Sequence, residues 1–158
     1  MVRSPRSQTA LLAALAALAL LTAAAFAPTF GSALTWQNRD TVSVSAEQYT
    51  VDGGETPTMT VTFAVDNPTR RRVTVVGASL VAYDGPAPHG DDAALTVPRS
   101  ASVPRTTVPA GDTGTVTVVM DVSNSGVDRA RQAVRSGRAD VSGSLRLQLA
   151  GREFDVDV

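Results

Sequence analysis

The chain of 158 residues carries 14 cationic side chains, all of them arginine, and 15 acidic ones, for a formal net charge of −1. With arginine and aspartate interspersed along it, no basic face of the kind nucleic acid requires is evident. Cysteine and lysine are both absent, which excludes a disulfide framework, a thiolate metal site, a lipoprotein-type anchor, and Schiff-base or Ser-Lys chemistry.

Composition divides the chain into residues 1–35, an N-terminal membrane anchor or signal segment, and residues 36–158, which read as one folded β domain. Residues 10–27 contain only alanine, leucine, phenylalanine and the single Thr22. As a helix they would span roughly 27 Å, just short of the hydrocarbon core of a bilayer. Arg3 and Arg6 precede the run and no acidic residue appears before Asp40. The positive-inside rule therefore keeps the N-terminus cytoplasmic and places the β domain outside, single-pass. A cleaved signal peptide, with Ala25-Phe26-Ala27 as its small-residue exit, is the alternative and would leave a secreted domain. The length of the run favours a retained anchor. Trp36, the one tryptophan, sits where an interfacial aromatic belongs.

Thr41-Val42-Ser43-Val44-Ser45 predicts a short strand, followed by a polar stretch and a Gly53-Gly54 turn. Met59, Val61, Phe63 and Val65 alternate with Thr58, Thr60, Thr62 and Ala64, the mark of a strand with one buried face. Asn67-Pro68-Thr69 stops it, since proline fixes φ and has no N–H to give a ladder. Asn67 is expected to order that turn through its side chain. After Arg70-Arg71-Arg72 a new strand starts at Val73, with a bulge expected at Gly77. The stretch from Asp84 to Gly90 is a loop. Residues 95–109, punctuated by Pro98, Pro104 and Pro109, suit an edge strand or one that changes sheets. Val116, Val118, Met120 and Val122 then mark a clear strand.

One short helix interrupts this pattern. Ser125, with Asp128 three residues later, predicts a variant capping box. Val127, Ala130, Arg131 and Val134 share a helical face, and Gly137 supplies the C-terminal left-handed residue. Val141, Gly143, Leu145, Leu147 and Leu149 alternate into a hairpin that turns at Ala150-Gly151 and returns through Phe154, Val156 and Val158. Some six or seven strands with regular turns argue for an all-β sandwich, and the outward Thr and Ser positions for at least one wet face.

The order of these motifs resembles a known family. A Thr-rich strand closes on Asn67-Pro68. Val73-Thr74-Val75-Val76-Gly77-Ala78-Ser79-Leu80 follows, and Val108-Pro109-Ala110-Gly111-Asp112 leads into the strand that ends at Val122. The short helix and Ser136-Gly137-Arg138 then precede a Val-Ser-Gly-Ser-Leu strand. Together they are similar to the water-stress and hypersensitive-response domain of LEA14-type (group 2 late embryogenesis abundant) proteins over residues 41–158. The resemblance implies an immunoglobulin- or fibronectin-III-like β-sandwich with one inserted helix, no catalytic residues, and a link to desiccation and osmotic stress.

The residues themselves offer no reaction chemistry. His89 is the single histidine, so neither a His-His metal pair nor a Ser-His-Asp triad can form within one chain. With Asp91 and Asp92 it reads as a solvated loop, not a metal site. Asp155 and Asp157 lie on the outward face of one strand and read as solubilising. Hence no catalytic residue, metal or cofactor is expected. Arg70, Arg71 and Arg72 form the sharpest charge cluster and offer a contact for lipid headgroups or a partner; an exposed turn kept soluble by charge would also account for them. The expectation is a non-enzymatic, membrane-tethered LEA14-like domain of stress tolerance. Its alternative is an Ig-like ectodomain that docks on another envelope protein, for instance by strand addition to an exposed edge.

Overall fold

The computed structural model describes residues 15–18, 20–22, 36–86, 93–99 and 101–158. Seven strands follow in chain order: β1 (Ser43–Asp52), β2 (Thr58–Asp66), β3 (Val73–Asp84), β4 (Thr106–Val108), β5 (Thr113–Asp121), β6 (Ala139–Leu149) and β7 (Arg152–Asp157). They form two antiparallel sheets, one in the order β1-β2-β5 and one in the order β4-β3-β6-β7. One helix, α1 (Val127–Arg135), lies between β5 and β6.

Alternation decides which faces meet. Met59, Val61, Phe63 and Val65 of β2 and Val116, Val118 and Met120 of β5 are buried. So are Val73, Val75, Leu80 and Ala82 of β3 and Leu145, Leu147 and Leu149 of β6, and all belong to one core cluster. Burying each large side chain contributes about 1.5–3 kcal/mol. The intervening Thr60, Thr62 and Thr117 stay on the outer face of the three-stranded sheet, where Thr62 pairs Thr117 and Thr50 pairs Thr60.

Two bulges keep long strands facing the core. In β3 the register shifts between Val75 and Gly77, so inward positions change from Val73 and Val75 to Leu80 and Ala82. Without that extra residue the second half of the strand would turn its apolar set to solvent. The same device lengthens β1: a shift between Ala46 and Gln48 lets Val44 and Ala46, then Tyr49 and Val51, pack on the core. The expected short strand ending at Ser45 thus runs on to Asp52, because the bulge absorbs the polar Glu47-Gln48 step. Burial, reinforced by the charge of Asp140, holds the Tyr49 phenol above its usual range.

The proline-rich connection both changes sheets and supplies an edge strand. Ala94 bridges to Tyr83 of β3, Val97 N–H donates to the Asp121 carbonyl, and Ser102 pairs with Val119 of β5. The chain then returns to β3 as β4, where Val73 pairs Val108. This connection covers β5 and β3 along one side of the sandwich-like stack and leaves β1 and β7 as the edges of the other. Thr96 is buried within it; its hydroxyl accepts from Ala82 N–H at 2.9 Å.

The helix departs from expectation at its start. A 3-10 turn over Asn124–Gly126 precedes it, Gly126 is its N-cap, and no side chain caps it. Ser125 is consumed in that turn instead of forming the capping box. Its C-terminus closes as expected: Gly137, at φ 66°, is followed by Arg138, whose N–H donates to Ala133 O at 2.9 Å. That is a Schellman motif. Val127, Ala130 and Ala133 are its buried residues, with Val134 packed beside them. Of the apolar N-terminal run, residues 15–18 and 20–22 are helical; the rest falls outside the described residues. Among those described, no helix is long and apolar enough to cross a membrane.

Candidate functional site: the arginine turn and its groove

The turn that carries Arg70, Arg71 and Arg72 is built around one fully buried amide. Asn67 Nδ2 donates to the carbonyl oxygens of Pro109 (2.7 Å), Arg71 (2.9 Å) and Val108 (3.2 Å), while its Oδ1 accepts from the N–H (3.2 Å) and hydroxyl (2.7 Å) of Thr69. Three carbonyls on one side and two donors on the other fix which way the amide points. Its backbone is tied as well, since Asn67 N–H donates to Asp112 O and Gly111 N–H to Asn67 O. The β2–β3 turn is therefore locked onto the β4–β5 turn.

This lock holds three arginines outward. Arg70, Arg71 and Arg72 are all exposed, and their guanidinium groups form no ion pair among the described residues. Arg71 and Arg72 line a groove of 260 Å³ with Thr74, Gln148, Ala150 and Gly151; Arg70 stands outside its lining. Gln148 is in turn held by Arg105, whose Nη2 donates to Oε1 at 3.2 Å, and Thr74 shares a hydrogen bond with Thr107 at 3.1 Å. Pairing of Val73 with Leu149 brings the turn of β6 and β7 beside the arginines. The result is a shallow, cationic, hydrogen-bonding concavity suited to an anion or a hydroxylated group.

Other arginines are already occupied. Arg138 Nε and Arg129 Nε meet the two carboxylate oxygens of Asp84 at 3.0 and 3.3 Å. The Arg138 hydrogen bond, helped by Arg129 and opposed by partial burial, holds the Asp84 carboxyl below its usual range. The convergence of the two arginines on Asp84 is not evident in the sequence, where they stand 45 and 54 residues from it. Arg131 lies over Gly53, where any Cβ would collide with its guanidinium, and pairs with Asp128 at 3.7 Å. With Val51, Val134 and Arg135 it lines a second groove, of 250 Å³, between α1 and β1.

Trp36 does not stand apart from the β domain. Its ring meets Phe154 of β7 edge-on, with centroids 5.8 Å apart, and the guanidinium carbons of Arg39 and Arg152 lie 5.1 and 5.5 Å from its centroid. His89, Asp91 and Asp92 lie outside the described residues. Among the described residues no group of His, Asp or Glu side chains gathers to hold a metal ion. Asp155 is paired with Arg146 at 3.1 Å on the outer face.

No protein family matches the chain, and no curated protein matches it. Among solved structures, a crystal structure of a protein from Archaeoglobus fulgidus is similar over 73% of this chain and 89% of that chain, at 12% identity and a TM-score of 0.46. That likeness is too slight to bear on function.

Proposed function

We propose that this chain is a non-enzymatic, LEA14-like domain, tethered to the membrane through its N-terminal segment, that contributes to tolerance of desiccation or osmotic stress. The observation that carries the reading is the character of the surface. Among the described residues of 36–158, Val97 is the one large hydrophobic side chain left exposed. Outer positions hold threonine, serine, arginine and aspartate. A surface of this kind keeps hydrogen-bonding groups available to neighbours as water leaves, and offers little for apolar association.

The strand order supports the fibronectin-III-like form of the sandwich. In constant-type immunoglobulin domains the fourth strand joins the sheet of the first, second and fifth. Here the fourth strand pairs with the third, in the sheet that also holds the sixth and seventh. The tether rests on the apolar run 10–27 and the charge asymmetry around it.

Drying tests the function. The full chain would be reconstituted into dye-loaded vesicles, dried and rehydrated, beside an unrelated tethered β-sandwich at equal mass. Dye retention above that control is the expected result, and retention equal to it would remove the stress reading. In that case a second reading takes its place, an ectodomain that docks on an envelope protein. The unpaired arginines and their groove favour that alternative.

A further inference from the structure

The register of the strands sorts the loops into two ends. Ser43 pairs Asp66, Asp66 pairs Thr113, Val73 pairs both Val108 and Leu149, and Leu149 pairs Arg152. The start of β1, the arginine turn, the β4–β5 turn and the β6–β7 turn therefore share one end. Helix α1, the Gly53-Gly54 turn and Asp84 share the other. Trp36 lies at the arginine end, where it packs on Phe154 between Arg39 and Arg152. So the first described residue of the β domain is fastened at the same end as its unpaired cations.

The two ends differ in how their charges are used. At the far end Arg129 and Arg138 are spent on Asp84 and Arg131 on Asp128, while Arg135 donates to the Arg131 carbonyl and is the one helix arginine without an ion pair among the described residues. At the tether end the acids Asp40 and Asp66 are engaged with Arg39 and the Thr113 hydroxyl, while Arg70, Arg71 and Arg72 keep outward guanidinium groups. Asp112 and Glu153 are the remaining acids there.

We propose that the tether end of the sandwich is a lipid-docking face, on which Arg70, Arg71 and Arg72 seat on anionic headgroups of the bilayer that holds residues 10–27. This rests on the membrane-tethered reading above. Guanidinium forks match phosphodiester oxygens in pairs, and the groove adds the Gln148 amide and Thr74 hydroxyl to the same group. Trp36 lies at the level where interfacial aromatics settle. The domain thus stands on end, with α1 directed away from the membrane.

The absence of cysteine makes the orientation measurable. Spin labels would be placed on the full chain at Asp112→Cys, at the docking end, and at Glu55→Cys, at the far end. Bilayers would contain either phosphatidylglycerol or phosphatidylcholine alone, and flotation with vesicles would be recorded first. The expected result is a label at 112 close to the headgroups only with phosphatidylglycerol, and a label at 55 remote in both. Replacing Arg70, Arg71 and Arg72 by Gln should lower the docked-to-undocked ratio by about fivefold per arginine, with an unchanged far-ultraviolet circular dichroism spectrum as a control that the fold is intact. Equal depth for the two labels, or docking insensitive to lipid charge and to the triple substitution, would overturn the proposal alone. Release by millimolar inorganic phosphate at fixed ionic strength would make the groove a free-anion site and overturn the lipid assignment. A chain that fails to float would overturn the tether and the docking face together.

Discussion

Asn67 Nδ2 donates a hydrogen bond of 2.7 Å to the carbonyl oxygen of Pro109, across 42 residues of sequence. This contact joins the turn after β2 to the turn before β5, and through them the two sheets, since β2 and β5 belong to one while β3 and β4 belong to the other. It is also what makes three consecutive arginines a presented surface. Their turn is bound to a buried amide and cannot fold back on the sheet.

Removal of that amide is expected to be costly. Asn67→Ala leaves the carbonyls of Pro109 and Val108 without their amide donor, while the Arg71 carbonyl keeps the Thr69 hydroxyl at 2.8 Å, a loss of about 2–3 kcal/mol. Asn67→Asp should be worse at neutral pH, because an ionised carboxylate would face those same oxygens. Urea unfolding checks both: the midpoint should fall with the slope unchanged.

Gly143 is a second point where one residue type alone fits. It sits in β6 at φ 133°, and a Cβ there would overlap the Ser79 carbonyl oxygen on β3. Gly143→Ala should therefore cost about 3 kcal/mol, combining backbone strain with separation of two central strands. Gly77→Ala is the internal control. Its Cβ would meet nothing closer than Arg146 Cβ at 3.7 Å, and its φ lies outside the left-handed region. Thermal unfolding of the two variants should differ widely.

The β6–β7 turn can be improved. Ala150 and Gly151 adopt φ of 52° and 82° between Leu149 and Arg152, which pair across the hairpin. Both central residues in the left-handed region identify a two-residue type I′-like turn, for which Asn-Gly is the preferred sequence. Ala150→Asn should raise stability by about 0.5–1 kcal/mol, read as a higher melting temperature. Because Ala150 lines the arginine groove, the same variant also tests whether the groove tolerates a larger polar wall.

What was legible in the sequence tracks how one-sided each segment is. β2 and β5 bury every second residue, so period 2 alone reveals them. β1 is an edge strand whose inward residues are only partly covered, and its bulge breaks the alternation midway, which hides its second half. The prolines of residues 95–109 announced a segment that changes sheets because each removes a ladder donor where the chain must leave one. The helix cap was misplaced by a 3-10 turn that shifts the start of α1 past Ser125. At the candidate site the arginine triplet was plain, but Gln148, Ala150 and Gly151 reach it through the β3–β6 register, a pairing between distant strands that one sequence does not specify. Asp84 likewise gains Arg129 and Arg138 from 45 and 54 residues away.

That carboxylate yields a pH prediction with a definite sign. Asp84 has a carboxyl held below its usual range, chiefly by the Arg138 hydrogen bond and then by Arg129. A group with a depressed folded-state pKa binds protons more readily when unfolded, so its contribution is complete above the ordinary carboxylate range and is lost as pH falls through the folded-state value. Asp84→Asn should cost stability at pH 7, within about 1 kcal/mol because both arginines are half-exposed and solvent screens the pairs. The gap between wild type and variant should narrow on acidification below the ordinary carboxylate range and close once Asp84 is protonated in both states. High salt at pH 7 should narrow it too, since the charges are partly screened. Melting temperatures of the two proteins across pH and salt measure this directly. A gap that stayed constant down to strong acid would mean that Asp84 acts through the shape of the β3–α1 junction and not through its charge.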